Sequence, residues 1–262
     1  MRASFRIAAQ MIRTSIQAQA QYRVDFLLQL SLGFFWTASS VAPLWLVFEI
    51  RSEIGGWSRP EAMLVMSAFL VLKALLDGII SPNLNALVEQ VRLGTFDFVL
   101  LKPADPQLLV SASRVVVPKL ADLMVGLGLS AWSISQIAPA PSALQIAAGG
   151  IMLLAGALGI YGVWVLIICT AFWFVKIDNL SFLFTSIFDA ARWPISVFRG
   201  WVGLLLTFVL PIAVMTSFPA MAVLGRLSLA RAAFAAATTT FLLVVSRRVW
   251  LWALRHYASA SS

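Results

Sequence analysis

Long apolar runs recur along the whole chain, and no polar block longer than about 25 residues, the length of one membrane-spanning helix, separates them. Such a chain has no polar faces with which to clothe its helices in water, so lipid has to be its solvent. The runs lie at about 26–48, 62–80, 115–137, 144–175 and 232–250, and a further crossing falls within 179–226. At 1.5 Å per helical residue these runs suffice for roughly 30 Å of hydrocarbon. Charged residues are 11% of the sequence, where a soluble domain has about 25%. The expectation is an all-α polytopic membrane protein with six transmembrane helices, forming one domain over 1–262.

The net charge of +8 does not point to nucleic acid. Lys and Arg stand at the ends of apolar segments and are not gathered on one polar face, which is how topology-setting charge is distributed. Residues 1–23 carry Arg2, Arg6, Arg13 and Arg23 opposite Phe5, Ala8, Ala9, Ile12 and Ile16. That pattern predicts a basic amphipathic elbow helix in the headgroup layer, serving either as a connection near a partner or as an interfacial anchor. With Arg247, Arg248 and Arg255 at the other end and an even number of crossings, both termini are expected in the cytoplasm. No cleavable signal peptide is expected at the start. Cys169 lies in an apolar run and reads as a small buried hydrophobe, and no metal site is expected.

Three stretches carry more than hydropathy. Gly55 and Gly56 predict a turn between the first two spans. Lys73 and Asp77 enter the second span four residues apart, on one helix face, and should pair away from lipid. They read as a self-neutralising pair or as part of a substrate passage. The third is NLNALVEQVRLGTFDFVLLKPADPQ, 83–107, the longest run of ordinary polar chemistry in the chain. Leu84, Leu87, Val88 and Val91 recur at helical spacing, so 84–92 reads as a short amphipathic helix at the membrane surface. Gly94 ends it, Phe96, Phe98 and Leu101 return to the apolar layer, and Pro103 and Pro106 stop regular structure.

The run LGTFDFVLLKPADPQ, Leu93 to Gln107, resembles the motif that follows the second membrane helix in one branch of the type-2 ABC exporter permeases. Trp193–Pro194, the PIA at Pro211 and Pro219–Ala220 are similar to the proline-punctuated region before that family's last span. The resemblance implies the type-2 ABC exporter permease fold: the elbow at 1–23, a six-span permease domain over 24–262, and a cytoplasmic coupling helix at about 83–97. It implies that Leu87, Glu89, Arg92, Gly94, Phe96 and Asp97 meet an ATPase. The partners implied are two ABC ATPase subunits, which would hold ATP and Mg, and a second permease subunit, identical or related, in the cytoplasmic (inner) membrane. For 179–226 the family pattern implies a fifth span followed by a broken, re-entrant helical pair. A surface helix at 180–193 with one kinked span at 201–224 reads equally well.

No GxxxxGK[ST] phosphate loop, paired carboxylates, Cys/His cluster or serine elbow occurs, so no catalytic residue is expected, no cofactor in this chain, and any ATP hydrolysis belongs to a separate polypeptide. The expected function is a permease moving a hydrophobic or amphipathic substrate by alternating access. The alternative is an ion- or proton-coupled secondary transporter, which calls for unpaired carboxylates at mid-membrane and a repeat between halves.

Overall fold

In the computed structural model, which describes residues 23–173, 178–209 and 211–257 together with Gln10, Arg13, Thr14 and Gln17, the segment that is apolar all round is also the centre. Helix α1 (Arg23–Ile50) leads through a two-stranded hairpin, β1 (Glu53–Ile54) and β2 (Trp57–Ser58), into α2 (Arg59–Leu75). Every residue from Glu61 to Leu72 is buried, as a helix without a polar face requires. The hairpin pairs Glu53 with Ser58 and Ile54 with Trp57. Gly55 and Gly56 make its turn with φ of 58° and 81°, a pair of positive values that two-residue hairpins demand. Ser58 and Glu61 form a capping box, with Pro60 in the first turn, so the start of α2 is written locally.

Below α2 the helix does not end. A π-helical turn, Leu76–Ile80, joins it to α3 (Ser81–Arg92), giving one helix of 34 residues, Arg59–Arg92. Pro82 is the cause of the turn. It has no N–H for the carbonyl of Gly78 four residues back, and that carbonyl instead accepts the amide of Val116 at 2.8 Å. The stretch 84–92, read from sequence as a separate surface helix, is therefore the lower end of the second span, with Leu84 and Leu87 buried.

Two short helices, α4 (Asp97–Leu100) and α5 (Pro106–Ser111), fill the turn region, and α6 (Pro118–Gln136) runs back along α2. They approach closely because Gly126 sits where a Cβ would lie 3.0 Å from the amide nitrogen of Val71. Helix α7 (Ala143–Cys169) continues as a 3₁₀ turn, Thr170–Phe172, and packs beside α11 (Leu229–His256), with Gly159 and Gly162 facing Thr239 and Leu242. Between them lie α8 (Asp178–Phe188), 3₁₀ turns at Asp189–Arg192 and Ile195–Val197, α9 (Gly200–Leu204) with a π turn Leu205–Val209, a second π turn Ala213–Ser217 and α10 (Phe218–Val223).

Contacts decide between the two threadings of 179–226. The Ser196 hydroxyl donates to the Gly55 carbonyl at 2.8 Å, and Arg226 meets Glu61 at 2.6 Å, so both ends of 196–226 are held at the hairpin end of the bundle. Between them the chain bends by 73° and returns along α7, with Met215 against Gly156 and Val223 against Gly149. The segment enters and leaves at the same end, so it is a re-entrant pair and not a kinked span.

The protein is a multi-pass membrane protein by length and composition. Among the described residues Val24–Ile50, Arg59–Arg92, Ala143–Phe172 and Leu229–His256 are long and apolar enough to cross a bilayer, and the bent pair, entering and leaving at one end, adds no crossing. Six were expected; α6, which carries Lys119 and Asp122 in its first turns, is not among them. The elbow expected over 1–23 lies outside the described residues apart from the isolated positions named above and Arg23.

Candidate functional site

Lys73 and Asp77 lie on the lower part of α2, where the buried face gives way to a cleft. Lys73 Nζ stands 3.6 Å from Asp77 Oδ2 and also 3.6 Å from Asp189 Oδ1. The pair read from the sequence is thus part of a larger cluster. Arg192 Nη2 lies 3.7 Å from Asp189 Oδ2, its Nε donates to the Asp189 carbonyl at 2.7 Å, and its guanidinium lies 5.7 Å from the Phe69 ring. From α6, Lys119 Nζ meets Asp122 Oδ2 at 2.9 Å, and Thr37 of α1 donates to Asp122 at 3.5 Å. Together these six charges line a cleft of about 410 Å³, which Gly33, Trp36 and Thr37 of α1 also line.

Three cations and three carboxylates gathered in a low-dielectric setting spare one another the cost of an unpaired charge. The π turn at Leu76–Ile80 carries Asp77 in its first residues, and such turns inside helices often accompany functional sites.

A second cluster lies at the lower end of the same helix. Gly94, at φ 70°, turns the chain at the end of α3. Phe96 then plugs fully into the bundle, edge-on to Phe172, Trp250 and Tyr257 at 6.1, 6.3 and 5.4 Å. Asp97 opens α4. Leu87 is buried, whereas the side chains of Glu89 and Arg92 are 52% and 60% exposed and pair at 2.7 Å. Phe98 and Leu101, expected in the apolar layer, are exposed along with Leu93. The six residues proposed for coupling therefore divide: Leu87, Gly94 and Phe96 shape and anchor the turn, Asp97 is half-buried at the start of α4, and Glu89 and Arg92 are on the surface.

The turn region is braced from both sides. Asp105 caps α5, accepting the amides of Gln107 and Leu108 at 2.9 and 3.3 Å. The same carboxylate accepts both terminal nitrogens of Arg247 on α11, one of them at 3.2 Å, a bidentate arrangement. Arg247 also reaches Gln107 Oε1 at 2.7 Å, and Gln107 donates to the Tyr161 hydroxyl of α7 at 3.0 Å. Above this, the fully buried Asn83 bonds the chain after α5. Its amide nitrogen donates to the carbonyls of Ile79 and Arg114, both at 2.6 Å. Its oxygen accepts the Ser113 hydroxyl at 2.8 Å and the Arg114 amide at 2.6 Å.

Arg247, hydrogen-bonded to Asp105, holds that carboxyl below the usual carboxylate range, and the amides of Leu108 and Gln107 add to the effect. A lowered folded pKa contributes stability that is present above about pH 3.9 and is lost as pH falls through the folded value. Hydrogen exchange of the α5 amides, corrected for intrinsic rates, should therefore be flat from roughly pH 8 to 5. Arg247→Met should accelerate it several-fold across that window. A protection step near neutral pH in the unaltered protein would contradict the assignment.

Asp189, Arg192 and the Asp105–Arg247 and Asn83–Arg114 contacts were not predicted as site features. The Lys73–Asp189, Asp105–Arg247 and Asn83–Arg114 partners lie 116, 142 and 31 residues apart, beyond any local spacing rule, whereas Arg192 meets Asp189 three residues away. The available signal was that every charge in an apolar stretch must find a counter-charge.

Compared with known proteins, residues 34–261 match a family described as ABC-2 family transporter protein. No curated protein and no solved structure matches the chain.

Proposed function

The chain belongs to the ABC-2 family of transporter proteins, and from that premise we propose that it is the transmembrane permease subunit of an ATP-binding cassette exporter. It carries an amphipathic substrate across the cytoplasmic membrane by alternating access, and separate ATPase subunits supply the energy. The chain itself performs no hydrolysis and holds no cofactor; ATP and Mg belong to two ATPase partners. A second permease copy, identical or related, completes the pathway. The hairpin end faces outward and the α4–α5 end faces the cytoplasm with both termini. In this reading the chain crosses six times: along α1, Arg59–Arg92, α6, α7, the segment 178–198 and α11.

One observation carries the reading. The intramembrane cleft lies at the middle of a single helix and the exposed turn at its lower end: Asp77 and Glu89 stand twelve positions apart on Arg59–Arg92, about 18 Å along the axis. A partner pressing on Glu89, Arg92, Phe98 or Leu101 displaces Lys73 and Asp77 with the same rigid element. The secondary-transporter alternative is less favoured, since each carboxylate of the cleft has a cation within reach.

The test follows from the exposure of the Glu89–Arg92 pair, which contributes little to stability, about 0–1 kcal/mol. Glu89→Lys or Arg92→Glu should leave expression and extraction unchanged while lowering co-purification of the ATPase several-fold. The exchanged double variant, E89R with R92E, keeps the internal pair and should stay defective, because the partner reads the order of charges. Full ATPase recovery with either single reversal would remove the turn from the coupling role. A chain that never brings an ATPase out of its native membrane would remove the exporter reading itself.

A further inference from the structure

The charges of the cleft are not equally satisfied, and their spacing narrows what can enter. Lys119 and Asp122 close on each other at 2.9 Å, with Thr37 on the same carboxylate. The other four groups stay apart: Lys73 is 3.6 Å from both Asp77 and Asp189, and Arg192 is 3.7 Å from the Asp189 carboxylate. Charge-assisted hydrogen bonds normally close to roughly 2.7–2.9 Å, and this chain achieves that at Arg92–Glu89 and Arg226–Glu61 with 2.7 and 2.6 Å. Two cations and two carboxylates thus alternate around open space, each with bonding capacity left over and no net charge among them.

That pattern discriminates by ligand charge. A purely anionic group drawn to Lys73 and Arg192 would leave Asp77 and Asp189 without counter-charge in a low-dielectric site, and a purely cationic one would strand the cations. A group carrying both signs replaces each loose contact with a direct one. The direction of entry is set by α1. Gly33 lets α1 lie directly against Asp122, whose Oδ1 would be 3.0 Å from a Cβ there, and Trp36, which lines the cleft, is 64% exposed. Leu32 and Phe35 on the same helix are exposed and apolar too.

We infer that the cleft receives the zwitterionic headgroup of an amphiphile, its phosphate against Lys73 and Arg192 and its ammonium against Asp77 and Asp189, entering from the bilayer beside α1 with the acyl chains left along that helix. This names the substrate class of the permease reading and rests on it. Lys73 stands fourteen positions below Arg59, about 21 Å down the helix. Asp77 stands eighteen positions below Arg59, about 27 Å, so in the orientation proposed above the cleft lies in the inner-leaflet half of about 30 Å of hydrocarbon, with Asp77 near its inner boundary.

The test uses the full chain in nanodiscs of phosphatidylglycerol doped with phosphatidylethanolamine bearing a photoreactive acyl chain, with mass spectrometry of the labelled peptide. Labelling should fall on 32–40 of α1 and be competed by unlabelled phosphatidylethanolamine roughly tenfold better than by phosphatidic acid, the scale of one charge-assisted contact. Lys73→Met with Asp77→Asn removes a cation and an anion together and leaves the Asp189–Arg192 and Lys119–Asp122 pairs intact. This double variant, and Arg192→Gln separately, should each lose labelling about tenfold while keeping the melting temperature of the parent. Equal competition by phosphatidic acid, or unchanged labelling in both variants, overturns the inference. So does competition by soluble glycerophosphoethanolamine as effective as that by the lipid, which would show that the acyl chains play no part. ATPase co-purification is scored in parallel: its survival with labelling lost from the parent sinks only the headgroup assignment, whereas its absence sinks the permease reading.

Discussion

Asn83→Leu should be the most damaging single substitution in the chain. Leucine has a similar volume but supplies none of the four hydrogen bonds that Asn83 makes to Ile79, Ser113 and Arg114. The Asn83 side chain is fully buried, and each backbone or hydroxyl group left stranded against leucine costs about 1–3 kcal/mol. Several such costs together rival the whole stability of an ordinary domain, about 5–15 kcal/mol. The break falls where α3 is fastened to the chain leading into α6, so the turn region and α6 should loosen together. The expected result is aggregation on extraction, or a melting temperature lowered by ten degrees or more on the order-of-magnitude scale of about 4 °C per kcal/mol. Asn83→Asp keeps the acceptor and loses the two donated bonds, so it should fall between. Thermal size-exclusion profiles of the three proteins decide the matter, and a leucine variant that melts with the parent would show that these bonds contribute nothing.

The second large effect is expected at Gly156. A Cβ there would lie 2.9 Å from both the Cα and the carbonyl oxygen of Met215, and backbone cannot swing aside as a flexible side chain does. Pro219 has no N–H to offer that carbonyl four residues on, and the π turn Ala213–Ser217 forms just before it. Gly156→Ala should therefore push the returning limb of the re-entrant pair off α7, at a cost of about 1–3 kcal/mol, and abolish most transport by the reconstituted complex. Gly150 is the control on the same helix. Nothing lies within 4 Å of its would-be Cβ, so Gly150→Ala should be neutral or stabilising by up to about 1 kcal/mol. If both alanines behaved alike, the packing of the limb against α7 would be wrong.

These two sites show where sequence reasoning reached its limit. The glycines of the fourth span were recognised as a close-packing surface, and Gly149, Gly156, Gly159 and Gly162 do meet neighbours while Gly150 does not. Composition alone could not sort them, because a smooth helix face is visible in a sequence but the element lying on it is not. Asn83 began the polar stretch singled out at the start and carried no distinguishing mark, since its partners follow 30 and 31 residues later. The amphipathic spacing of Leu84, Leu87, Val88 and Val91 was real, yet it described the lower end of a long span facing the bundle and not a helix lying flat on a membrane.

From the sequence alone came whatever depends on neighbours along the chain: helices long and apolar enough to span lipid, the Gly55–Gly56 turn, the breaks at proline, and the requirement that Lys73 and Asp77 avoid hydrocarbon. Each of those is fixed by local sterics, backbone hydrogen bonding or the cost of charge in lipid. Tertiary structure decided which charges complete the cleft, that 200–225 dips in and returns, and that the turn at Gly94 is pinned by Phe96 and clasped by Arg247. Those outcomes depend on contacts between residues far apart in the chain, and no local propensity encodes them; they follow only once the helices have packed and every buried polar group has had to find a partner.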